Sequence, residues 1–108
     1  MRTLAGLMVV AATLTGTAAS AEPRKLSDVD FLEAARCVGI ASSGKIGSTD
    51  VPALNGWLRS QSTGRSIYIA ERADQVQHDA KMEASRAGEF QKQRLINELN
   101  GVCATLRG

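Results

Sequence analysis

Residues 66–87 read SIYIAERADQVQHDAKMEASRA, and this stretch decides the fold class. Ile69, Ala73, Val76, Ala80, Ala84 and Ala87 recur at steps of three and four, the period of one face of an α-helix, so the spacing predicts one long helix in the C-terminal half of the chain. Ile67, Tyr68 and Ile69 have strand propensity, but no second strand is available to pair with them. Most of the stripe is alanine. Small side chains bury little area yet let a second helix come close, so this face is expected to meet a partner helix, from another protein or from a second copy.

Moving toward the C-terminus, Gly88 is expected to kink or break the helix. Leu95, Leu99, Val102 and Leu106, with Ile96 and Cys103, continue a helical stripe, and Asn100-Gly101 reads as a fray point or cap. Moving the other way, Ser62 to Ser66 (STGRS) separates the long helix from a shorter one. That helix is expected to start near Thr49 or Asp50, with Pro52 in its first turn, where a missing N–H costs nothing. Val51, Leu54 and Leu58 form its apolar stripe with Trp57 alongside, and Gly56 weakens it by about 1 kcal/mol relative to alanine.

Residues 42–49 (SSGKIGST) read as a loop. Before them, Ser27-Asp28-Val29-Asp30 fits a helix-capping pattern, with acids in the first turn where the helix dipole favours them. Phe31, Ala35 and Val38, flanked by Ala34 and Ala41, make the stripe of this first helix, with Asp30, Glu33 and Arg36 opposite and Cys37 at the stripe's flank. The fold expected is all-α: a small bundle of three to four helices, one of them long.

Cys37 and Cys103 are the two cysteines of the chain. Residues 1–21 resemble an export leader in outline: Arg2 gives a positive start, Leu4 to Leu14 is apolar, and Ala19-Ser20-Ala21 is a small-x-small cleavage site. The apolar run fades into Thr15, Gly16 and Thr17, too short for a membrane span of about 20 residues. Cleavage after Ala21 leaves residues 22–108 as a single exported domain, periplasmic or secreted. In an oxidising compartment two thiols of one small domain pair, so a Cys37–Cys103 disulfide is expected to tie the first helix to the last.

Composition excludes several functions. The net charge is +2 for the whole chain, one unit of it from Arg2, and charges of both signs are interspersed, so no basic stripe for nucleic acid exists. Pairs such as Glu83 with Arg86 and Arg94 with Glu98 are ordinary helix-face pairs.

Three constellations could carry chemistry. Ser42-Ser43-Gly44-Lys45 matches S-x-x-K, in which a lysine activates a serine nucleophile, but the partner motifs of those enzymes are missing. Gly44-Lys45 lacks both the hydroxyl residue after the lysine and the strand of a phosphate loop. Asp74, His78 and Met82 share one helix face, and His with Met suits copper; on a convex face they are weak metal candidates. No catalytic set and no cofactor are expected.

The function expected from sequence is therefore a non-catalytic module that binds a protein partner. Inhibitors, immunity proteins and small envelope chaperones share this general form, an analogy of fold alone. The alternatives are a self-associating envelope component, or a weak metal binder using His78 and Met82.

Overall fold

In a computed structural model, residues 25–47 and 50–108 are described. The expected leader, residues 1–21, lies outside them. Four helices follow in order: α1 (Asp28–Ser42), α2 (Val51–Ser62), α3 (Ile67–Ser85) and α4 (Glu89–Glu98). From α4 the chain continues through a π-helical turn (Leu99–Cys103) into a last helical turn (Ala104–Arg107), so the C-terminal segment is one rod. No strand occurs among the described residues.

The first three helices begin where a side-chain oxygen can take up an unpaired first-turn N–H. Ser27 Oγ accepts from Asp30 N at 3.1 Å, Asp50 Oδ1 from Ala53 N at 3.1 Å, and Ser66 Oγ from Ile69 N at 3.2 Å. Ile67-Tyr68-Ile69, strand-like in composition, is the first turn of α3. That helix ends at Ser85 and α4 starts after Gly88, so the glycine marks a break.

α1 is the central element. Phe31, Ala34, Ala35, Cys37, Val38, Gly39, Ile40 and Ala41 are all buried, far more of its surface than one stripe. Its main partner is α3. Where they cross, a Cβ added to Gly39 would lie 2.2 Å from the Gln77 carbonyl oxygen and 2.9 Å from Ala80 Cβ. Only a residue without a side chain permits that backbone approach. The start of α1 lies by the start of α3, and Ile40 packs with Ala80 and Ala84. The two helices therefore run in the same direction, while α2 returns along α1 on one side and α4 with its rod returns past it after Gly88.

Two apolar clusters make the core. One gathers Leu26, Phe31, Ala34, Ala35, Val38, Leu54, Leu58 and Ala73, with Trp57, Ile69, Val76 and Leu106 against it. The other holds Ile40, Ile46, Ala80, Ala84 and Leu95, flanked by Ala87, Ile96 and Leu99. Ile46 corrects the reading of residues 42–49 as a plain loop, because it is 1% exposed and part of the core. Gly44 and Gly47, at φ +73° and +64°, turn the chain on either side so that Ile46 can dip inward.

Cys37 and Cys103 form a disulfide, with sulfurs 2.01 Å apart. It joins the middle of α1 to the end of the π turn. Val102, expected on the same buried stripe, is exposed instead. The wider π turn rotates the residues after Leu99, so Cys103 and not Val102 faces α1.

Candidate binding site

The alanine stripe of α3 is spent inside the molecule. Ala73, Ala80 and Ala84 are buried, the last at 0% exposure, and Ile69, Val76 and Ala87 pack on the two clusters. The expectation that this face awaits a partner is thereby corrected. Its small side chains serve the close approach of α1 at Gly39.

The other sequence candidates are not brought together. His78 is exposed on α3, Met82 is half-buried, and Asp74 lines a shallow cleft between α2 and α3 floored by Phe31, Leu58 and Ala73. Among the described residues no group of three or more His, Cys, Asp or Glu side chains is placed to hold a metal ion. The hydroxyls of the S-x-x-K match turn back on their own helix: Ser42 Oγ donates to Val38 O at 2.6 Å and Ser43 Oγ to Ile40 O at 2.9 Å. Both serines finish α1, and Lys45 is exposed beyond them.

What does stand out is one end of the bundle. Val29 is 76% exposed, Ile67 75% and Tyr68 74%, while Phe90, at 80%, is exposed in the first turn of α4. Isolated apolar residues on a surface are ordinary, but the first three belong to the first turns of α1 and α3, which one residue pins together. Arg65 donates to Asp28 Oδ1 at 2.7 Å, to Leu26 O at 2.6 Å and to Gln61 O at 2.8 Å, and its guanidinium lies 4.3 Å from the centre of the Phe31 ring. With its side chain only 4% exposed, Arg65 ties the ends of three helices into a firm platform. Sequence reading placed Arg65 in a helix-ending loop and valued Ile67 and Tyr68 only for their strand propensity. Their position after an N-cap, outside the buried stripe, is the signal that they face solvent.

A second feature is a cavity of about 280 Å³ between α1, α2 and the C-terminal rod. Ala34, Leu54, Trp57, Leu99 and Leu106 line it, the disulfide forms part of its wall, and Asn100 and Arg107 also border it. Leu99, Asn100 and Cys103 all come from the π turn, a distortion that recurs at functional sites.

Electrostatics concentrate at Arg36, which bridges three helices. Its Nε donates to Glu98 at 2.7 Å and its Nη1 to Glu83 at 2.8 Å. The hydrogen bonds to Glu98 and Glu83 hold the guanidinium above its ordinary range. The same bond to Arg36 is the main reason the Glu83 carboxyl is lowered. Glu33 goes the other way: burial first, then a hydrogen bond and repulsion from Glu98, raise it.

The two glutamates therefore carry opposite pH signatures. A lowered carboxyl stabilises the fold above its unfolded pKa, and that contribution fades as pH falls through the folded value. A raised one costs stability once pH climbs through the folded value. At pH 7, Glu83→Gln is expected to destabilise and Glu33→Gln to stabilise, each by about 0.5 kcal/mol given their exposure to solvent. The Glu33 difference should vanish once pH falls below the ordinary carboxylate range, and the Glu83 difference should fade only as pH falls further, through its lowered folded value, measured by urea unfolding across pH.

Comparison of the chain with protein-family models, with curated proteins and with solved structures finds no match.

Proposed function

We propose that this chain is a non-catalytic binding module of the periplasm or the extracellular space, and that it engages a protein partner through the platform of Val29, Ile67 and Tyr68. The observation that carries the reading is the exposure of three large apolar side chains at one rigid end of the bundle. Fixed apolar groups lose little entropy when covered, and an aromatic with a polar tip suits an interface that is wet in one state and dry in the other. The leader-like pattern of residues 1–21 and the disulfide support the compartment. A self-associating envelope component is the alternative and would use the same end.

A photo-crosslinking residue at Tyr68, compared with one at exposed His78, tests this in the cell of origin. The expected result is one adduct with a different protein, formed from position 68 and not from 78, and lost when Ile67→Ser is added. An adduct of two identical chains would replace the proposal with self-association. Equal labelling from both positions would remove the platform as the site.

A further inference from the structure

We propose that the cavity between α1, α2 and the C-terminal rod binds a small carboxylate with an apolar body. The site is separate from the Val29, Ile67 and Tyr68 platform and does not depend on it. Most of its wall is apolar: Ala34, Leu54, Trp57, Ile96, Leu99 and Leu106, with the disulfide. Taking the ~30 Å³ share of one liquid water as a unit, a volume of about 280 Å³ accepts on the order of ten heavy atoms.

The polar side chains on the wall select the head group. Asn100, Arg107 and Trp57 line it and carry N–H donors; Asn100 and Arg107 are exposed to solvent at its border, Trp57 is half-buried, and none of the three side chains has a hydrogen-bond or ion-pair partner among the described residues. Among the described residues no Asp or Glu lines the cavity, and Arg107 is the charged residue on its wall. A guanidinium and an amide beside an apolar slot match a carboxylate on a short aromatic or branched chain. The π turn has a direct part in this. It brings Leu99, Asn100 and Cys103 to one wall, with the sulfur tied to α1 and the amide at the border.

The test uses the oxidised protein with 3-phenylpropionate and its uncharged amide, 3-phenylpropionamide, which share shape and differ in charge. Titration followed by NMR should show the acid binding at least tenfold more tightly than the amide, with shifts at the Trp57 indole, Leu99 and Asn100. Arg107→Gln should erase that tenfold preference and leave amide binding unchanged. Ala104→Trp, which adds bulk at an exposed wall position without touching the core, should abolish both. Raising salt should weaken the acid alone. Equal binding of acid and amide, shifts that map to Ile67 and Tyr68, or no binding at millimolar concentrations would each overturn the proposal.

Discussion

Cys37→Ser and Cys103→Ser are each expected to lower stability by about 4 kcal/mol, and the double substitution by no more than either alone. The residues are 66 apart in sequence, and releasing a loop of that length returns chain entropy to the unfolded state. For a domain of this size the loss corresponds to a fall in Tm on the order of 20 °C. The native state also feels the change locally. Beyond Glu98, the hydrogen bonds of the rod are internal among the described residues, as from Thr105 to Gly101 and from Gly108 to Thr105. The disulfide and the packing of Leu99 and Leu106 are what hold Leu99–Arg107 to the rest of the bundle. Hydrogen exchange should therefore show protection lost first in that segment, with the α1–α3 contact keeping its own. Additive losses in the double variant, or uniform loss of protection, would contradict this picture.

Gly39→Ala carries the second large effect, and its sign runs against propensity. In an exposed helix the change would add about 1 kcal/mol of stability. At Gly39 the new methyl would meet the Gln77 carbonyl at 2.2 Å, and that atom is backbone with no rotamer to escape into. α1 and α3 must move apart, loosening Ala80, Ala84 and Ile40 along the same seam. Overpacking of this kind costs about 1–3 kcal/mol, and a net loss of about 2 kcal/mol is expected, larger for Gly39→Leu. Gly56 supplies the control. It is helical too, but nothing lies within 4 Å of its added Cβ, so Gly56→Ala should stabilise by up to about 1 kcal/mol. Urea unfolding of the two variants should give shifts of opposite sign from the same chemical change.

The parts of this fold that were legible in the sequence are those set by local rules. Ser27, Asp50 with Pro52, and Ser66 announce helix starts because a cap needs only its own next turn. Gly88 announces a break for the same reason. The disulfide was expected from two thiols and a leader-like start that implies an oxidising compartment. The long-range features were not legible. An alanine stripe specifies close approach without saying which helix approaches, and its complement, Gly39 amid Ala34, Ala35 and Ala41, lies in a different element. Ile46, alone between two glycines, has no periodicity to betray its burial. Arg65 reads as a loop cation until three helix ends are seen around it. The π turn is invisible because Leu95, Leu99, Cys103 and Leu106 suit an unbroken α-helix equally well. Of the candidate sites, the α3 stripe proved internal, whereas the platform and the cavity each draw on residues far apart in the chain.

The proposed role of this stapled bundle is to hold another protein at the Val29, Ile67 and Tyr68 end. Native mass spectrometry of the protein isolated gently from its own compartment tests it most directly. The expected result is an oxidised chain, two hydrogens lighter than the dithiol, part of it carrying one additional protein that is absent from the Ile67→Ser, Tyr68→Ser double variant. A chain found bare, or a homo-oligomer that survives both substitutions, would contradict it.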